Sequence, residues 1–218
     1  MIHSRAYALL ATVTLMTSLV APRALAAAPD AQQWRFRAYL DDAPVGFHRI
    51  AVQRHGASWI VESEARFDVM VMTVPVYRYH HRASERWTDG CLTALSAHSE
   101  ENGRTRDVQA IAEGDQLAVT SPRGEMSLGG CVMSYAYWNP AMLHATEILN
   151  AQTGEYTRVR VTRLADATST VRGKSLRVQR WRVDTPRHAI DLTYTPDGQW
   201  VGLETTVVMG KRLQYRLE

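Results

Sequence analysis

Apolar and polar residues alternate with a period of two along much of this chain. In "TRVRV", Thr157 to Val161, the valines fall on one face and the arginines on the other, the repeat of a half-buried strand. Runs rich in β-branched and aromatic residues continue the theme: "WRFRAYL", "SWIVESEARFDV", "YTRVRVTRL", "HAIDLTYT", "QWVGLETTVV" and "RLQYRL". Turn signals separate them, among them Asp41-Asp42, His55-Gly56, Asp89-Gly90, Asn102-Gly103, Gly114-Asp115, Arg172-Gly173 and Pro196-Asp197-Gly198. Asn-Gly and Asp-Gly suit two-residue hairpins because both central residues take positive φ. No segment holds a helical repeat over three turns. The pattern predicts a mainly β protein: a single curved antiparallel sheet, or a partly closed barrel or sandwich, in one domain.

Two stretches break the pattern. "DVMVMTVPVYRY" is apolar at nearly every position from Val69 to Tyr77, so both of its faces are expected to avoid water. Either the strand is buried between two layers, or one face lines an apolar ligand cavity. By alternation Met70, Met72 and Val74 share that second face, and methionine suits surfaces that accept varied apolar shapes. The other exception is "GGCVMSYAYWNPAML", Gly129 to Leu143. Asn139 before Pro140 starts a helix, because asparagine caps free N–H groups and proline fits the first helical position. A short helix over about Pro140 to Ile148 is expected, with Tyr135, Tyr137 and Trp138 beside its start.

The amino terminus reads as a secretory signal. Arg5 precedes an apolar core from Ala6 to Ala21, no acidic residue occurs before Asp30, and Ala24-Leu25-Ala26 places small residues at a cleavage site. The core is shorter than the roughly 20 residues a spanning helix needs. Residues 1–26 are therefore expected to be removed, leaving 27–218 as one β-rich domain in the periplasm, without a transmembrane segment. The whole chain carries a formal charge of +3, of which Arg5 and Arg23 leave with the leader, so the remainder is near +1. For such a balance in an exported compartment, nucleic acid is the wrong partner.

Chemistry enters through the cysteines. The chain has two, Cys91 and Cys131, each after a glycine, and export makes a disulfide between them the expected state. The rival reading, a Cys131 nucleophile served by His144, needs a reduced thiol outside the cytosol. Nucleophile-elbow, zinc-protease, Cys-x-x-Cys and phosphate-loop motifs do not occur. His80 and His81 are neighbours and point to opposite faces of a strand, so no metal site and no cofactor are expected. Glu62 and Glu64 share a strand face, as solvated glutamates also do. The arginine-rich second half, Arg158 to Arg182, could meet anionic head groups, but reads first as a solvated strand face that discourages edge pairing.

A resemblance spans nearly the whole of the expected mature chain. "FRAYLDDAPVGFHRI", "SEARFDVMVMTVPVYRYHHRASERW", "GCVMSYAYWNPAML", "ILNAQTGEY" and "YTPDGQWVGLETTVVMGKRLQYRL" resemble an exported bacterial family defined as a domain of unknown function, number 6134. Its most specific part here is the Cys-x-Met-x-x-x-Tyr-Trp-Asn-Pro run. The "DG-W-V-LE" ending is more loosely similar to periplasmic proteins with lipoprotein-carrier-like curved sheets. The resemblance implies a compartment and an architecture and no catalytic residues. The function expected first is non-catalytic binding of an apolar or lipid-like ligand at Met70, Met72, Val74, Tyr77, Tyr79 and Trp138. An envelope scaffold with a filled core, and an enzyme without a recognisable motif, are the alternatives.

Overall fold

The computed structural model describes residues 30–207 and 210–218, and the leader expected over 1–26 lies outside them. The strands follow in chain order: β1 (Ala31–Leu40), β2 (Ala43–His55), β3 (Ser58–Val71), β4 (Val74–Thr88), β5 (Cys91–Glu101), β6 (Arg104–Glu113), β7 (Gln116–Ser121), β8 (Gly124–Gly129), β9 (Glu147–Leu149), β10 (Tyr156–Arg158), β11 (Arg160–Arg163), β12 (Ala167–Val171), β13 (Lys174–Asp184), β14 (Ala189–Tyr194), β15 (Trp200–Thr206) and β16 (Arg212–Leu217). Fourteen of them form one antiparallel sheet in the order β11-β13-β14-β15-β16-β1-β2-β3-β4-β5-β6-β7-β8, with β12 also on β13. The sheet is curved and does not close, and β9 pairs with β10 separately. The expectation of a mainly β, curved antiparallel sheet holds.

Local chemistry explains the hairpins. Asp89 and Gly90 take φ 52° and 79°, and Asn102 and Gly103 take 50° and 78°, the positive values their turns require. Long-range pairing explains the rest. β16 lies against β1, with Phe36 opposite Leu217 and Leu40 opposite Leu213, so the last strand joins the β13–β16 meander to the β1–β8 meander. On the concave face Trp34, Phe36, Trp87, Val108, Leu192 and Trp200 form one continuous core.

The stretch after β8 crosses that face. Val132, Met133, Ala136, Met142, Leu143, Ile148 and Leu149 are all buried in the same core. Its helix is a single 3-10 turn, Pro140–His144, shorter than expected. Asn139 caps it as the sequence implied, its side-chain oxygen accepting from Ala141 N–H at 3.0 Å. It ends early because Ile148 goes to β9, where it pairs with Thr157. Cys91 and Cys131 are bonded, S–S 2.02 Å, which ties the start of β5 to the start of the crossing segment. Leu92 N–H donates to Val132 C=O at 3.0 Å beside the bond.

The largest departure concerns "DVMVMTVPVYRY". It is a hairpin rather than one buried strand: β3 turns into β4 through Met72 and Thr73, with Val71 opposite Val74 and Met70 opposite Pro75. β2 reaches along β3 only as far as Phe67, and β5 reaches along β4 only as far as Tyr79. Residues 68–78 therefore project from the sheet as a two-stranded ribbon. Its apolar residues face water, contrary to both readings of the sequence: Met70 is 51% exposed, Val71 57%, Met72 95%, Val74 60% and Val76 52%. A register shift between Val69 and Met70 also breaks the simple alternation. Val74 thus sits opposite Val71, while Met72 occupies the turn, so Met70, Met72 and Val74 do not share a face.

Candidate functional site

The ribbon is built from its base upward. At the base, Phe67 stacks on Tyr79 with ring centroids 5.3 Å apart, and both pack with Ala38, Val45, Ala65 and Tyr215 in a small second core. One step outward Tyr77 lies opposite Val69 and donates its hydroxyl to Glu101 Oε1 at 3.1 Å, while Arg106 pairs with the other oxygen of that carboxylate. Burial pushes the Tyr77 hydroxyl well above its ordinary range, with the Glu101 charge adding to it, so the phenol is a neutral donor. On the outer face Arg66 and Arg78 share the Asp68 carboxylate at 3.1 and 4.0 Å. Beyond these groups, Val69 to Val76 carry no charge. Five large apolar side chains clustered at one projecting point form the kind of patch that marks an interaction surface.

Beneath the base lies a polar belt. One row across the sheet reads Phe36, His48, Ala65, His81, Ser99, Arg106. His48 Nε2 contacts Ser63 Oγ at 3.0 Å, and His81 Nδ1 contacts Ser99 Oγ at 2.8 Å. Burial, with a smaller contribution from neighbouring histidines, pushes His48 down to about 3 and His81 down to about 4, so both rings are neutral at pH 7. Two Ser–His contacts invite a hydrolase reading. Ser99 is 2% exposed, however, and His48 Nδ1 has no hydrogen-bond partner to orient the ring. The belt works as core polarity held by register.

The six residues expected to bind a ligand are split by the fold. Met70, Met72 and Val74 crown the ribbon, Tyr77 is at its base, and Tyr79 is sealed below with its hydroxyl unpartnered. Trp138 is elsewhere: it packs edge-on against Trp87, 5.7 Å between centroids, close to the other end of β4. His80 and His81 do point to opposite faces, His80 to Glu64 at 3.0 Å and His81 into the belt. Glu62 and Glu64 occupy the outer face, Glu62 accepting from Ser84 and Glu64 bound by His80 and Arg82. The sequence reading missed the pairing of His81 with Ser99 and of His48 with Ser63, because only strand register brings them together. Two open grooves lie on the outside of the sheet. One, of about 540 Å³, is lined by Ile60, Ser84, Arg86, Ser96 and Ile111, and one of about 310 Å³ by Arg35, Arg37, Phe47 and Arg49. Neither includes the ribbon.

A solved structure of similar fold is a β-barrel-like protein of the domain of unknown function DUF1849 from Brucella abortus, with a TM-score of 0.62. It is 9% identical, and the alignment covers 85% of this chain and 94% of that one, so the likeness is one of fold. Among curated proteins, none matches the chain. The family model described as a domain of unknown function, DUF6134, matches residues 36–218, which takes in β2 to β16, the disulfide, the crossing segment and the ribbon; this chain belongs to that family.

Proposed function

We propose that this chain is a non-catalytic, exported protein of the periplasm that engages apolar or lipid-like matter, and that the engaging element is the β3–β4 ribbon. The observation that carries this is the exposed, uncharged tip from Met70 to Val76. The bonded Cys91–Cys131 pair suits an oxidising compartment, and the apolar leader suits export. The concave face is occupied by the crossing segment. That favours contact with an apolar surface or an exposed chain over a ligand enclosed within the sheet. Full burial of a valine or methionine side chain gains roughly 1.5–3 kcal/mol. Five tip residues that are half exposed or more then gain about 5 kcal/mol together, which corresponds to weak, reversible engagement.

An environment-sensitive apolar dye tests this. The native protein is expected to bind it, fatty acids or phospholipid to displace it, and Met72→Glu to weaken it severalfold. Met72 is 95% exposed, so the substitution leaves the core untouched. A native protein that ignores the dye, or a Met72→Glu variant that binds it equally, removes the reading and leaves the scaffold alternative.

A further inference from the structure

Resting on that reading, we propose that the apolar matter is the surface of an anionic lipid bilayer, entered tip-first by the ribbon with its arginines at the depth of the lipid phosphates. Arg66 and Arg78 stand on the two strands where the apolar tip begins, with side chains 60% and 68% exposed, and Asp68 is the one carboxylate they share. Arg104 joins them, because the β5–β6 turn is fastened to the ribbon base. Asn102 N–H donates to Arg78 C=O at 2.9 Å, and Arg78 N–H donates to the Asn102 side chain at 2.9 Å. The reach is right: from Asp68 to Val71, the last strand residue before the turn, are three strand steps, about 10 Å at roughly 3.3 Å each. An element that lies in the membrane interface buries its apolar face about 5–10 Å deep.

The charges in the hairpin turns point the same way. Turns at the ribbon end of the sheet carry Arg123, Lys211 and Arg187, the last paired with Glu155 at 3.3 Å, and the two aspartates there, Asp41 and Asp42, are held by Lys211, Arg212 and Arg216. Turns at the opposite end carry Asp89, Asp115 and Asp197 against one cation, Arg172, whose Nε donates to the Glu218 C=O at 2.7 Å. An anionic surface therefore attracts the end that bears the tip.

A protein partner fits less well. A stable interface uses roughly 20–30 residues a side, whereas the tip from Met70 to Val76 is a single turn and its two flanks. Strand addition to the ribbon is hindered by Pro75, which has no N–H to offer.

The test is sedimentation of the exported, processed protein with vesicles of phosphatidylcholine alone and of phosphatidylcholine with about one third phosphatidylglycerol. Every variant carries the same amino terminus, so differences among them report the ribbon. Native protein is expected to favour the anionic vesicles at least tenfold and to lose that preference in high salt. Met72→Glu and, as a second tip variant, Val74→Ser are expected to bind both vesicles weakly while keeping the native near-UV circular dichroism. The pair Arg66→Gln and Arg78→Gln is expected to lose roughly tenfold or more on anionic vesicles only. Equal binding by native and tip variants overturns the proposal, as does a native dimer that Met72→Glu converts to a monomer. If native protein ignores vesicles yet shows tip-dependent dye binding, the bilayer is excluded and the apolar engagement stands. Loss of both removes both readings.

Discussion

Met72 takes φ 57° in a two-residue hairpin turn, whereas Asp41, Asp89 and Asn102 are polar residues that tolerate such values at the other turns. Left-handed backbone costs an ordinary side chain roughly 1–2 kcal/mol, and asparagine less because its side chain bonds locally. Met72→Asn is therefore expected to leave stability unchanged or raise it by up to about 1 kcal/mol in urea unfolding, while weakening dye binding. At His48 and His81 the surroundings set the chemistry. Each has a folded pKa, about 3 and about 4, below its ordinary 6.5. The native state then binds fewer protons than the unfolded state, so stability is complete above pH 6.5 and falls as the pH drops toward 4. Each ring accounts for up to about 2 kcal/mol lost at pH 5. Urea midpoints measured from pH 7 to pH 4 are expected to fall steeply, and His48→Gln to flatten the slope; equal slopes remove the assignment.

At the scale of elements, the ribbon and the crossing segment are stabilised by different means. The crossing segment has little regular structure, and it is held by buried side chains, by Ser134 donating to Glu85 at 3.0 Å, and by the Cys91–Cys131 bond. A bond closing 40 residues removes about 4 kcal/mol of unfolded-state entropy in the chain-entropy model. Cys131→Ala is expected to lower stability by about 2–4 kcal/mol, measured by chemical denaturation, without altering vesicle or dye binding. The ribbon is anchored at its base, where β2 passes so close to β3 that a Cβ on Gly46 would lie 1.8 Å from the Arg66 carbonyl oxygen. Pairing there is tight, and pairing with further strands stops just beyond.

For the whole molecule, the decisive contact is the last strand against the first. β16 lies between β15 and β1, so the two meanders share one sheet and Phe36 packs on Trp200 at 4.2 Å between centroids. Neither meander buries its inner face without the other and the crossing segment. Thermal unfolding followed by far-UV circular dichroism and by tryptophan fluorescence is expected to give coincident single transitions. Two separated transitions are the outcome that contradicts this coupling.

What the residues alone determined was local. Alternation in "TRVRV" and "WRFRAYL" marked strands, Asp-Gly and Asn-Gly marked hairpins, and Asn139-Pro140 marked the cap of a short helix, because each depends on neighbours a few positions away. The disulfide was legible because two cysteines leave one pairing. What tertiary structure decided was how far each neighbour reaches. The apolar run at Val69–Val76 looked buried, since nothing within it says that β2 and β5 stop at Phe67 and Tyr79. Its turn went unread because Met72 stands where a glycine or asparagine would have announced it. The 3-10 helix ended at His144 because β9 claimed Ile148, and the two Ser–His contacts exist only through cross-strand register. Exposure and cross-sheet contact are properties of the assembled sheet, and no window of sequence contains them.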